Sequence, residues 1–188
     1  MPGNSFSSAC AGHGRQSLED SLPFMKTLYL LRHAKSSWAA PEQKDYDRPL
    51  DERGLAEAPE MAARLIARGE IPDLVVSSPA LRALSTARIV CEKLGKPVAG
   101  IIENRQIYLA GSPKLQQLVS LFDEAAASAM LVAHNPALTD LANDLAHAGI
   151  DNIPTCGLVT LELPIEHWAE LLPGIGRLRS FEYPNTTD

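Results

Sequence analysis

Four residues carry most of the chemistry legible in this chain. Arg32 and His33 lie in TLYLLRHAKSSW, Arg82 in VVSSPALRA, and His134 in LVAHNPAL. An imidazole is both a nucleophile and a proton carrier near neutral pH. A guanidinium presents planar, bidentate N–H groups that match phosphate oxygens. Together these groups suit phosphoryl transfer: arginines neutralise charge on the transferring group, and a neutral imidazole carries it as a covalent intermediate. Taken singly, each residue has an ordinary explanation, such as a strand reaching the surface, a hydrogen-bonded structural histidine, or an arginine pointing to solvent.

The elements that must position them follow from the apolar pattern. LYLL (Leu28–Leu31), PDLVVSS (Pro72–Ser78) and AMLVAHN (Ala129–Asn135) read as short buried strands. The latter two run directly into helical spacing, with Ser78 and Asn135 as expected caps and Pro79 and Pro136 as expected first helical residues. Strand carboxyl ends of an open parallel sheet lie along one edge, where ligands bind. Topology therefore brings Arg32, His33, Arg82 and His134 toward one place. Arg82 sits in the opening turns of its helix, where the macrodipole is positive and an arginine is unfavourable. An anion bound there would resolve the conflict.

Elsewhere, Asp51 is an expected N-cap for a helix carrying Leu55, Ala58, Ala62, Leu65 and Ile66. Pro59 predicts a late start or a kink in it. Leu81, Leu84, Ile89, Val90 and Leu94 predict a second helix, stopped by Gly95 and Pro97. VAGII predicts a short third strand. Ser112 and Pro113 open a helix with Leu115, Leu118, Val119 and Phe122; Leu138, Leu141 and Leu145 mark another. GLVTLEL and GRLRSFEY read as late strands. This alternation predicts an α/β domain with a largely parallel, covered sheet. Residues 1–24 are polar and rich in glycine and serine, and read as a flexible extension to a domain spanning 25–188, with Met25 an alternative start.

Composition excludes other classes. The net charge is −6 and no basic run stands out, which argues against a nucleic-acid surface. Cys10, Cys91 and Cys156 are scattered, which argues against disulfides and fits a reducing, cytoplasmic setting. No apolar run approaches the roughly 18 residues of a membrane span. His13, His147 and His167 have no metal-ligand spacing, so no metal and no cofactor is expected. No cysteine has the Cys-x5-Arg spacing of cysteine phosphatases, and GIGR lacks the strand–helix context of a dinucleotide site.

LLRHAKSSW, RPLDERG, SSPALRALSTA and LVAHNP, in this order over residues 25–183, resemble the histidine phosphatase superfamily, and RHAKSSW is most similar to its SixA-like phosphohistidine phosphatases. The resemblance implies a three-layer α/β/α sandwich of the phosphoglycerate mutase type, without a large lid insertion. It implies His33 as nucleophile and Arg32, Arg82 and His134 as phosphate-binding groups, with His134 more useful as a cation or a donor. Ser36 falls where relatives place a hydroxyl near the phosphate, and Lys35 either adds positive potential or is exposed. Ala34 stands where most of the superfamily has glycine. No proton-donating acid matches clearly; Asp45, Asp47 and Glu103 are candidates, each also readable as a solvated loop carboxylate. The implied activity is metal-independent hydrolysis through a phosphohistidine intermediate. The implied substrate is a phosphorylated protein or small phosphorylated molecule, phosphohistidine above all. The alternatives are a phosphatase of small monoesters and a phosphoprotein-binding module without turnover. A monomer or weak oligomer is expected.

Overall fold

The structure, a computed structural model, describes residues 24–38 and 42–184. Apart from Phe24, the expected extension 1–24 lies outside the described residues.

Six strands form one sheet: β1 (Lys26–Arg32), β2 (Leu74–Ser77), β3 (Ile102–Glu103), β4 (Ser128–Ala133), β5 (Leu158–Leu163) and β6 (Arg177–Glu182). Their spatial order is β3-β2-β4-β1-β5-β6. The first four run parallel, whereas β5 is antiparallel to both β1 and β6. In register, Leu30 stands between Leu131 of β4 and Val159 of β5.

Alternation along β1 divides the interior into two layers. Leu28 and Leu30 face helices α3 (Ser112–Val119) and α4 (Ala137–Ala146), meeting Leu115, Val119, Leu138 and Leu141. Tyr29 and Leu31 face helices α1 (Glu52–Ala67) and α2 (Leu81–Lys93), meeting Met61, Leu65, Ala87 and Val90. Since β1 is covered on both faces, its continuous apolar run is what a central strand requires. The result is the expected three-layer sandwich.

Several local expectations need correction. The helix begins at Glu52, where the Asp51 carboxylate caps the Gly54 N–H at 2.8 Å, so Pro59 lies within it rather than ahead of it. Pro59 lacks the N–H that would reach Leu55, and Leu55 is exposed, so water can satisfy that carbonyl. Leu55, Ile66 and Leu81 follow the helical spacing but flank the buried stripe and are exposed. VAGII is not a strand over its length. Val98–Gly100 is a 3₁₀ turn, closed by Gly100 N–H donating to Pro97 and Ile101 N–H to Val98, and pairing with β2 begins only at Ile102.

Helix α1 is locked to the loop after β1. The Lys35 carbonyl accepts the Asp51 N–H at 3.1 Å, and a Cβ at Gly54 would penetrate that same carbonyl oxygen. Only glycine allows this approach. Gly54→Ala should therefore cost about 1–3 kcal/mol of stability, measured by urea denaturation, with the NMR resonances of residues 33–36 shifting as their loop is pushed aside. Unchanged stability would show that the loop is free to move.

Candidate functional site

The carboxyl ends of β1, β2 and β4 converge as topology requires. His33 directly follows β1, and its backbone is held from both sides: its N–H donates to Ala133 at 3.2 Å, and its carbonyl accepts from Cys156 at 3.1 Å. The next residue is tied to α2. Ala34 N–H donates to the Thr86 hydroxyl at 3.0 Å, and that hydroxyl donates to the Arg82 carbonyl at 2.7 Å.

This frame sets the orientation of the His33 ring. Nδ1 lies 2.8 Å from the Ala34 carbonyl oxygen, which can only accept, so Nδ1 carries the proton. The lone pair is then on Nε2, where Arg82 Nε–H donates at 3.3 Å. The His33 and His134 rings lie 5.2 Å apart. His134 Nε2 pairs with the Ser78 hydroxyl at 2.8 Å, while its Nδ1 is buried without a partner. Arg32 places one Nη on the Ile153 carbonyl at 2.6 Å and leaves Nε buried and unpartnered. The structure thus groups Arg32, His33, Arg82 and His134, with unmatched polar atoms on two of them.

Ser78 and Asn135 do not cap as expected. Helix α2 starts two residues later, with Ala80 at its cap; the Ser78 hydroxyl accepts the Ala80 N–H at 3.3 Å and also meets His134 Nε2 at 2.8 Å, so it serves the turn before the helix and the site together. Pro136 occupies the cap of α4 instead of the first helical position. The Asn135 amide donates to Asn152 and Ile153, and its oxygen accepts from Thr139.

Asp45 changes the reading of Arg82. The guanidinium is almost wholly buried, and its two Nη groups donate to the Asp45 carbonyl at 2.5 Å and carboxylate at 3.0 Å. The anion anticipated at the start of α2 is supplied by the chain itself. The same carboxylate accepts from Arg48 and from the Tyr108 hydroxyl, each at 3.0 Å. Partial burial opposes ionisation. The bonds from Arg48 and Tyr108 and the Arg82 charge outweigh it and hold the carboxyl below its usual range. Asp47 is exposed, and Glu103 reaches only the exposed Arg88 at 3.9 Å.

Ser36 is buried, but its hydroxyl accepts from Arg48 at 2.6 Å and so meets the cluster only through that arginine. Lys35 is exposed. Sequence reasoning missed Arg48 and Tyr108. Arg48 stands in the quoted RPLDERG, a usable signal, whereas nothing in ENRQIYLAGS distinguishes Tyr108. Among the described residues, no group of three or more His, Cys, Asp or Glu side chains is placed to hold a metal ion, and no helix is long and apolar enough to cross a membrane.

Burial, followed by the charges of His134, Arg82 and Arg32, pushes the His33 pKa down to about 3, although the bond to Ala34 opposes this. Burial and then Arg82 push His134 down to about 4, with Asp45 opposing. Both rings are therefore neutral at pH 7, so of the two forms expected for His134, cation or donor, its ionisation leaves the neutral donor. In the unfolded chain both titrate near 6.5, so between about pH 6.5 and 4 that state binds protons the folded state does not. Acidification through this window should lower Tm. The double variant His33→Asn/His134→Asn should show a shallower slope of Tm against pH. Equal slopes would mean that other groups control acid stability.

The pattern of the histidine phosphatase superfamily (branch 1) matches residues 28–104. A solved structure from Agrobacterium tumefaciens, bearing the assigned name phosphohistidine phosphatase SixA, is 33% identical, with a TM-score of 0.72 over 85% of this chain and 99% of its own. The protein histidine phosphatase SixA complexed with tungstate shares the fold at 23% identity, with a TM-score of 0.67 over 84% of this chain and 96% of that one. An uncharacterized chloroplastic protein of Arabidopsis thaliana is 28% identical over 183 residues, covering 89% of this chain and 82% of its own length. With its sheet order, its paired imidazoles and its arginines at the strand ends, the chain belongs to the histidine phosphatase superfamily, within the SixA-like branch.

Proposed function

We propose that the chain removes phosphate from phosphohistidine on a protein, through a phospho-enzyme formed on His33 and without a metal. The observation that carries this reading is the His33 ring itself: neutral, with its tautomer fixed by Ala34 and its Nε2 lone pair turned toward the Arg82 side of the cluster. Nε2 attacks phosphorus as the substrate's P–N bond breaks. A proton already on the far nitrogen of the substrate ring makes the leaving group a neutral imidazole. Water then attacks the phospho-His33, the new P–N bond breaks, and its electron pair returns to Nε2. Arg32 and Arg82 hold the equatorial oxygens, where they stabilise charge through both steps. His134, whose pKa is pushed down to about 4, offers its unpartnered Nδ1 to the same group.

The reading as a phosphatase of small monoesters turns on a proton donor, because an alkoxide leaves poorly without one. Asp45 is the carboxyl nearest the cluster, yet Arg48, Tyr108 and Arg82 keep it ionised. It is a poor acid, which favours a substrate whose leaving group needs none. The buried, unpaired Cys91 and Cys156 suit the cytoplasmic setting we assign. Residues 25–188 are taken as the catalytic domain and 1–24 as its extension. A monomer or weak oligomer meets a phosphorylated protein or small phosphorylated substrate.

Rapid quenching with a labelled phospho-donor should find acid-labile, alkali-stable label on His33, and none in His33→Ala. Activity surviving that substitution would overturn the mechanism. Arg82→Ala should lower kcat/KM by about 10²–10³-fold, as expected for one lost contact to developing charge. Near-normal kinetics would remove Arg82 from the site. A panel comparing phosphohistidine, phosphoserine, phosphotyrosine and sugar phosphates settles the substrate class, with phosphohistidine expected to lead.

A further inference from the structure

We infer that Tyr46 and Tyr108 form a seat for the leaving ring of the substrate, which makes them the residues that select a phosphorylated imidazole over other phosphoryl donors. The inference rests on the proposed placing of the phosphoryl group against Arg82 and His134. Two hollows meet at Tyr108. The inner one, about 230 Å³, is lined by Arg82, Tyr108, Leu109, Ala110, His134, Asn135 and Pro136; His33 is outside this lining and adjoins it through its contacts with Arg82 and His134. The outer one, about 340 Å³, is lined by Tyr46, Arg105 and Tyr108. A phosphoryl group in the inner hollow has the outer one as its immediate neighbour across a single ring.

The rings are arranged in a row. His134 stands 5.2 Å from His33, Tyr108 5.8 Å from His134, and Tyr46 5.1 Å from Tyr108. The last two contacts are edge-on, at 78° and 89°, so neighbouring rings present faces in different directions. A planar ring entering beside them finds both a face and an edge, the arrangement in which aromatic pairs attract. A phosphorylated imidazole protonated on its far nitrogen is a cationic ring until the P–N bond breaks, and in that state it gains further from a tyrosine face. Arg105 is exposed at the same wall and can meet a carbonyl or an acidic side chain of the peptide that bears the ring.

Neither tyrosine is there to fill the interior. Both lie outside the two apolar cores and are half-buried on short 3₁₀ segments or their flanks. Tyr108 is nevertheless held in place, because its hydroxyl donates to Asp45, which is itself clamped by Arg82 and Arg48, and Tyr46 packs edge-on against it. Leu109 then adopts a left-handed backbone (φ 61°) and leaves its side chain exposed beside the inner hollow. Such strain in a non-glycine residue clusters at ligand sites.

The test compares phosphohistidine with phosphoramidate, which has the same P–N bond but no ring. In the full-length protein the ratio of their kcat/KM values should fall about three- to tenfold in Tyr46→Ala, the worth of one aromatic pair. The change should lie mainly in KM, and Tyr46→Phe should restore it. An unchanged ratio overturns the seat. If the wild type does not turn over phosphohistidine, the proposed substrate fails, and the seat is judged with phenyl phosphate against glycerol phosphate. A preference for the aryl ester that Tyr46→Ala abolishes supports the seat; no preference, or one that survives, overturns it.

Discussion

The site hangs on one buried guanidinium. Arg82 reaches the nucleophile candidate through Nε and the Asp45 loop through both Nη groups. Three parts of the chain far apart in sequence thus meet on a single planar group: the end of β1, the first turn of α2, and the turn at Asp45–Asp47. An arginine near a helix N-terminus is electrostatically disfavoured, and a buried one without partners more so. Asp45 answers both costs. The rest of the site is arranged around this solution: Arg48 and Tyr108 steady Asp45, and Thr86 ties the base of Arg82 to the loop after β1.

The electrostatic character follows from crowding. Arg32, Arg48 and Arg82 surround two imidazoles and one carboxylate, and burial removes the water that would otherwise let the imidazoles share the positive charge. Protonation therefore goes nowhere: both rings stay neutral, and the carboxylate stays ionised. A nucleophile needs the former, whereas an acid catalyst would need the opposite of the latter. One cluster of charges thus favours attack by nitrogen and disfavours proton donation from Asp45.

Much of this was legible in the chain, for a physical reason. A central parallel strand is apolar throughout, so polar residues directly after LYLL, PDLVV and AMLVA mark the sheet edge where ligands bind. That logic placed Arg32, His33, Arg82 and His134 without any coordinates, and the motif order supplied the family. It failed where function depends on loops. Ser78 and Asn135 have the composition of caps, and only the neighbourhood shows their side chains turned to His134 and to Asn152, Ile153 and Thr139. Asp45 looked like any loop carboxylate because its partner Arg82 is 37 residues away. Tyr108 had no local signal at all. The antiparallel run of β5 hid another contribution: it carries the segment before Leu158 to the same edge, where the Ile153 and Gly157 carbonyls receive Arg32.

The clasp between Asp45 and Arg82 also bears on which anions the protein can ignore. Any anion that is to use both Nη groups of Arg82 meets a carboxylate already tethered there at a high effective concentration. Its apparent affinity is reduced by the fraction of molecules in which that carboxylate has let go. Weakly held anions are penalised most in practice, because they have no other contacts from which to recover the loss. Asp45 remains ionised well into the acid range, so the penalty does not relax near neutrality. Under the proposed mechanism, free phosphate left behind after turnover faces the same competitor.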